Sequence, residues 1–347
     1  PQVRLGLHKH HIHSYHYIIS LDNLLEAWQE FLKGKRSRKD VQEFELNLMA
    51  NILDLHKELR DKTYRHSDYH AFNISDPKSR NIHKASVRDR LLHRALYRQL
   101  YPFFDRIFIY DSYSCRIDKG THKAINQFRN FAYKVSQNHT KTVWILKCDI
   151  KKFFASIDHS VFKNIISNYI PDQDIKWLLW QVIDSFETSP DKGLPLGNLT
   201  SQLLVNVYMN VFDQYMKHKL KVRYYIRYAD DFAIFSDDKH YLEKMLAKID
   251  LFLREKFKLN LHPNKVSIST LASGVDFLGW VHFVDHRVLR SVSKRRIFVN
   301  IRLAKEKLDQ ELITEYSFNQ TLQSYYGILK HCQGHKLSLE IEFLVKR

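Results

Sequence analysis

Three aspartates stand out as groups that could do chemistry: Asp149, and the adjacent pair Asp230 and Asp231. Asp149 closes the apolar run Thr142–Cys148 (TVWILKC), where a carboxylate is costly unless it meets a cation. Asp230 and Asp231 stand between the apolar stretches Tyr224–Ile226 and Phe232–Phe235. That pattern predicts a β-hairpin with an acidic tip, whose like charges repel. An Asp-Asp pair alone is ordinary turn chemistry. A strand-end aspartate, a pair beside Tyr228 and a basic chain together point instead to divalent metal. Mg2+ prefers a few carboxylates with phosphate oxygens and water. Two such ions, about 3.5–4 Å apart, clamp the attacking and leaving oxygens of an in-line phosphoryl displacement.

The bulk composition fits that chemistry. The 347 residues are 44% hydrophobic and 13% aromatic, a folded chain long enough for two or three subdomains. Lys plus Arg exceed Asp plus Glu by 55 to 38, a formal charge of +17 that favours a polyanionic partner through counterion release. The basic residues do not gather on one amphipathic helix, which argues against a membrane surface. Cys115, Cys148 and Cys332 are isolated, so neither a disulfide framework nor a cysteine zinc site is expected. The start carries His8, His10, His11, His13 and His16 without an apolar signal core, and is expected to be solvated and poorly ordered. No stretch approaches the ~20 apolar residues of a membrane span. A soluble, cytoplasmic protein is the expectation.

The elements that must position the aspartates follow from periodicity. Residues 21–62 predict two helices, the first carrying Leu24, Leu25, Trp28, Phe31 and Leu32, the second Phe44, Leu48, Ile52 and Leu55. Another helix spans 86–105, and Thr142–Cys148 reads as a buried strand. A helix follows Asp158, then the Gly/Pro loop Ser189–Gly197, then a helix bearing Leu204, Val207, Tyr208, Val211, Phe212 and Tyr215. After the acidic hairpin come a helix over Leu242–Phe257 and a strand near Val275–Val281. This order matches a split βαβ sheet. The tail Arg287–Lys307 holds eight Lys/Arg against one acid, Glu306.

Particular strings resemble the reverse transcriptases. Tyr228-Ala229-Asp230-Asp231 is similar to their YxDD box, and Cys148-Asp149-Ile150-Lys151-Lys152-Phe153-Phe154 to their first catalytic motif, followed by Ser156-Ile157-Asp158-His159. The resemblance implies an α+β right-hand polymerase with fingers, a split-βαβ palm and a helical thumb, copying RNA with two Mg2+ ions, or Mn2+ in their place. It implies an N-terminal extension at 1–20, helices and fingers over 21–141, a palm over 142–285 with a fingers insertion near 160–190, and a thumb over 286–347. Asp149 and Asp230 would be the principal metal ligands, Asp231 a weaker one, and the Ile150 carbonyl would face a metal. Phe154 falls at the steric-gate position, where its ring would exclude a 2′-hydroxyl and select dNTPs.

Asp76-Pro77-Lys78-Ser79-Arg80-Asn81-Ile82 with Val87-Arg88-Asp89-Arg90, and Cys115-Arg116-Ile117-Asp118-Lys119-Gly120-Thr121-His122, resemble the two fingers motifs. Arg80, Arg116 and Lys78 are then candidates for the incoming triphosphate, a task suited to a guanidinium fork. Lys265 falls where the family places a lysine near the leaving pyrophosphate, a general-acid role. Phe277-Leu278-Gly279-Trp280 resembles the primer grip, and Lys294, Arg295 and Arg296 would lie along the nucleic-acid backbone.

Leu194-Pro195-Leu196-Gly197-Asn198-Leu199-Thr200-Ser201-Gln202 departs from the common pattern. Leu196 replaces a glutamine and Gln202 a proline, which places Leu196, Gly197 and Gln202 beside the nucleotide. This variant resembles the enzymes of diversity-generating retroelements. It implies copying a template-repeat RNA into cDNA mutated at adenines, together with an accessory variability determinant, a small basic oligomer. Faithful retron or group II intron type copying is the alternative, with an RNA-binding scaffold or a template-free polymerase as further ones. The chain is expected to be too short for an added maturase or endonuclease domain.

Overall fold

The computed structural model describes residues 14–75 and 79–346. Helices and strands mix in an α+β arrangement, and two units emerge from the pattern of contacts. One comprises the described residues through Arg116, then Ile150–Lys221 and Lys248–Pro263; the other comprises Ile117–Asp149, Val222–Ala247 and the described chain from Asn264 onward.

The first unit is helical around α5 (Val87–Ile107) and α10 (Leu199–Gln214), which pack on each other, while α2 (Leu21–Leu32) lies against α5. Leu91, Leu92, Ala95 and Leu96 of α5 and Leu24, Ala27 and Trp28 of α2 are fully buried, as their spacing predicts. Ser86 caps α5 by accepting the Asp89 amide, and buried Asp89 in turn takes the Tyr64 hydroxyl at 2.8 Å. The expected pair of helices over 21–62 is three, α2, α3 (Lys39–Leu46) and α4 (Leu48–Arg60). The chain breaks at Asn47 (φ −119°, ψ 35°), inside what reads as one amphipathic run. A short helix α1 (Tyr15–Ile19) precedes them, and its Tyr15 hydroxyl donates to the Leu59 carbonyl at 2.7 Å. Within the expected poorly ordered start, this segment is therefore packed, with Ile18 and Ile19 buried; His8, His10, His11 and His13 lie outside the described residues.

Two antiparallel strands, β1 (His70–Ile74) and β2 (Arg80–Lys84), also belong to this unit; β1 is exposed throughout and β2 is half-buried from Ile82 to Lys84. Three more helices belong to it: α7 (Phe153–Ser156), α8 (His159–Tyr169) and α9 (Gln173–Ile183). Buried asparagines fix α10. Asn206 donates to the Ser114 carbonyl at 2.8 Å, and Asn210 donates to the Tyr169 hydroxyl at 3.2 Å.

The second unit holds the sheet that carries the aspartates. Strands β3 (Trp144–Cys148), β4 (Tyr225–Tyr228), β5 (Asp231–Ser236) and β6 (Ser267–Thr270) lie in the order β4-β5-β3-β6, each pair antiparallel. Helix α6 (Thr121–Val135), unpredicted from the sequence, packs on β4 and β5 through a face of Ala124, Ile125, Phe128 and Phe131. Helix α11 (Lys239–Phe257) begins here and ends in the other unit. The strand expected near Val275–Val281 is a hairpin, β7 (Val275–Phe277) and β8 (Trp280–His282), to which β9 (Arg287–Leu289) adds. The basic tail forms α12 (Ser291–Asp309), bundled with α13 (Glu315–Leu329) and α14 (His335–Lys346).

Asp158 shows how a motif residue can serve the fold. It caps α8, accepting the Val161 amide at 3.0 Å and the Lys258 ammonium at 2.7 Å. Burial alone would raise its pKa, but Lys258, the Ser160 hydroxyl and the Val161 amide outweigh burial and hold the carboxyl at about 2. A depressed carboxyl stabilises the fold above its unfolded pKa of about 4, and the contribution is lost as pH falls toward 2. Asp158→Ala is expected to cost roughly 1–2 kcal/mol at pH 7. Urea melts of the two proteins from pH 7 to pH 3 should show the gap narrowing in acid.

Candidate active site

The carboxylates are placed by strand register. Cys148 pairs with Phe232 and Tyr228 with Asp231, so continuing the β3–β5 register by one residue sets Asp149 directly opposite Asp231. Like charges in that relation destabilise a sheet unless a cation lies between them. On the other side of β3, Lys147 pairs with Ser267, and continuing that register by two residues sets Asp149 opposite Lys265. The Lys265 ammonium meets both oxygens of Asp149, at 3.0 and 2.9 Å.

Ala229 and Asp230 form the two-residue turn between β4 and β5. Ala229 sits at φ +54°, where glycine is the ordinary residue. Arg227, fully buried in β4, donates from Nη1 to the Ala229 carbonyl at 3.0 Å and so braces the strained turn. Tyr228 is fixed separately, since the Thr121 hydroxyl at the start of α6 donates to its phenolic oxygen at 3.1 Å. Neither bracing residue was anticipated from the sequence. The signal for Arg227 was present, as a charge inside the apolar strand Tyr225–Tyr228.

Burial raises the Asp230 carboxyl to about 6, with Asp231 and Asp149 adding to the rise and Lys265 opposing it. Asp231 is raised by burial as well, with Asp149 and Asp276 contributing and Lys147 and Lys265 opposing. Two carboxyls raised chiefly by burial, beside a third at the end of β3, suit a hard divalent cation in their donor chemistry. Among the described residues, no three His, Cys, Asp or Glu side chains are grouped as they stand so as to hold a metal ion. Asp149 is instead turned to Lys265.

The expected nucleotide-binding residues fall in the first unit, and several come together there. The His83 amide donates to the Leu196 carbonyl at 3.3 Å, and Asn198 Nδ2 donates to the His83 carbonyl at 2.9 Å, so the loop is pinned to the strand that begins at Arg80. Gly197 allows this crossing, because its φ is +104° and a Cβ would meet Ile82 at 3.1 Å. The Leu194 amide donates to the Phe154 carbonyl at 2.8 Å, which brings Phe154 to the same loop. The Phe154 ring and Leu196 are half-buried, Arg80 is exposed, and Gln202 lies in the first turns of α10. Ile150 is buried and bridges to Leu261. Lys78 lies outside the described residues.

Arg116 departs from expectation. Its Nε donates to Asp105 at 2.7 Å, Nη1 to the Ile109 carbonyl at 2.7 Å and Nη2 to the Asp105 carbonyl at 3.3 Å. With 6% of its side chain exposed, the guanidinium clamps its own loop and is not free to hold a triphosphate. In the second unit, Phe277 is fully buried and stacks on Phe128, and Trp280 is buried too. Only Leu278 and Gly279, both at positive φ, form the tip of that hairpin. On α12, Lys294 pairs with Glu340 at 3.3 Å, Arg296 is half-buried and Arg295 is exposed.

A carboxyl raised above its unfolded pKa disfavours the folded state once it ionises. Metal-free protein is therefore expected to gain stability as pH falls through about 6, and Asp230→Asn to remove most of that gain. Thermal melts in chelator at pH 7.5 and pH 5 measure both.

Comparison with known proteins accords with this geometry. The sequence model described as reverse transcriptase (RNA-dependent DNA polymerase) matches residues 74–282. Protein YkfC of Escherichia coli (strain K12) is 25% identical over 258 residues, which cover 63% of this chain and 66% of that protein. The group II intron-encoded protein LtrA of Lactococcus lactis subsp. cremoris is 21% identical over 361 residues, 81% of this chain and 58% of LtrA. The retron Ec73 reverse transcriptase of Escherichia coli is 25% identical over 213 residues, 56% of this chain and 64% of that enzyme. The chain thus spans less than two-thirds of the length of each of these relatives. With a matched segment that contains Asp149, the YADD turn and Lys265, the chain belongs to the reverse transcriptase family.

Proposed function

We propose that this chain is an RNA-directed DNA polymerase that extends a primer with dNTPs at Asp149, Asp230 and Asp231. The observation that carries the reading is the placement of Asp149 directly across from Asp231, with Asp230 on the adjoining turn. Three acids held close together, one buried and two half-buried, destabilise a sheet on their own, and a basic chain gains nothing from them in RNA binding. Asp149 and Asp230 would be the main ligands of a divalent ion, Asp231 a weaker one, and the Ile150 carbonyl a further contact. When bound, Mg2+, or Mn2+ in its place, would sharpen the primer hydroxyl as a nucleophile and stabilise charge on the leaving pyrophosphate.

The chain's own residues do the rest. Arg80, exposed at the start of β2, is the remaining described cation for the triphosphate. Phe154 excludes a 2′-hydroxyl, and Lys265 gives a proton to the departing pyrophosphate. The Leu278-Gly279 tip meets the primer, and Arg295 with its neighbours Lys294 and Arg296 tracks the backbone of the hybrid. The four-stranded sheet then serves as palm, the β1–β2 hairpin as part of the fingers and α12–α14 as thumb. Asp149→Asn and Asp230→Asn are each expected to abolish primer extension on an RNA template, while template binding holds or tightens slightly because a repulsive charge is gone. Retained extension by either variant would overturn the reading.

A finer reading rests on Leu196. A glutamine there could hydrogen-bond beside the nascent pair, whereas a leucine contributes only shape, worth about 1–3 kcal/mol of discrimination. With its backbone pinned to β2 and its side chain half-buried, Leu196 is held in place as part of that surface. This supports error-prone copying of a template-repeat RNA, as in diversity-generating retroelements, with a small basic accessory oligomer as partner. The likeness to a group II intron-encoded protein and a retron enzyme favours faithful copying as the second reading. Sequencing cDNA made on a defined RNA separates them. Errors concentrated at template adenines, reduced in Leu196→Gln, are expected; uniformly accurate copying by the wild type with its native RNA and accessory protein would reject the finer reading.

A further inference from the structure

We propose that Lys265 is a stand-in cation: in the metal-free protein its ammonium holds Asp149, and it must let go for a divalent ion to bind there. The inference rests on the reading of Asp149, Asp230 and Asp231 as a metal site. Three observations carry it. First, the ammonium addresses both carboxylate oxygens, at 3.0 and 2.9 Å, so the face of Asp149 that a cation would use is occupied. Second, register places Asp149 in the middle of a row, with Asp231 on one flank and Lys265 on the other. The repulsion from Asp231 is thus answered from the β6 side, and an ion seated among the aspartates would answer it from within. Third, the aspartate is fixed and the lysine is not. The Asp149 side chain is 10% exposed at the end of a buried strand, whereas 42% of the Lys265 side chain is exposed, on a turn before β6.

Lys265 and a divalent ion are alternatives on one ligand. Release costs the lysine an ion pair, and it leaves a protonated amine beside the site at the moment the site becomes competent. Lys265 thereby links loading of the site to presentation of the proton donor proposed for the pyrophosphate. A lysine that served only as donor would have no reason to grip a metal ligand through both of its oxygens.

The test is Mn2+ binding to the full chain without nucleotide or nucleic acid, read from the loss of the free-ion electron paramagnetic resonance signal. Four proteins are compared: wild type, Lys265→Met, Lys265→Arg and Asp230→Asn, with thermal melts in chelator to confirm that each is folded. Lys265→Met keeps the length of the side chain and removes its charge, and is expected to bind Mn2+ roughly tenfold more tightly, the scale of one lost competitor in a part-exposed site. Lys265→Arg keeps the charge and is expected to stay within about threefold of wild type. Unchanged or weaker binding by Lys265→Met overturns the inference, as does equal tightening by Lys265→Arg, which would make the effect steric. Asp230→Asn reports on the underlying site. Undiminished binding there would discard the metal reading itself, whereas binding lost in Asp230→Asn but unaltered in Lys265→Met would discard only the role of Lys265.

Discussion

Repulsion among three carboxylates at the end of a buried strand is the constraint around which the second unit is arranged. Asp149 faces Asp231, and Asp230 stands one residue away on a turn whose alanine occupies a left-handed conformation. Unpaired, such a cluster would favour protonation or local unfolding. Three features of the sheet work against that outcome. Lys265 neutralises Asp149 from one side, Arg227 secures the turn carbonyl from below, and Thr121 ties Tyr228 to the start of α6. Each acts on a different part of the motif, so the carboxylates are held in place by neighbours and not by one another.

The first unit solves a different problem, bringing distant segments to one loop. His83 uses both its amide and its carbonyl to hold Leu196 and Asn198, and Leu194 reaches the Phe154 carbonyl. These are mostly backbone contacts, so the loop's position depends little on the side chains of Arg80, Phe154 and Leu196. On the nucleotide-binding reading proposed above, that arrangement lets the loop keep its shape while its side chains vary.

Legibility in the sequence followed the strength of local patterns. The strand before Asp149, the acidic hairpin and the helix from Leu199 were readable because unbroken apolar runs mark the strands and a sustained 3.6-residue period marks the helix. Helix α6 was missed although its buried face keeps the helical spacing, since basic and polar residues dilute the pattern between Ala124 and Val135. The break at Asn47 depends on backbone torsions that no hydrophobic pattern records. Arg116 could not be judged from its type, because a guanidinium fork fits two carbonyls and a carboxylate as well as it fits a phosphate. Arg227 and Lys265 illustrate the same limit from the other direction. Their partners are cross-strand or turn groups, visible only once register is known.

The division of the chain between the two units has a consequence for biosynthesis. Successive segments alternate, changing unit after Arg116, Asp149, Lys221, Ala247 and Pro263. A nascent chain therefore cannot complete its N-terminal helical unit until Pro263 has cleared the ribosome, by which time the strands of the sheet have emerged as well. Vectorial folding, one domain sealed before the next appears, is closed to such a chain.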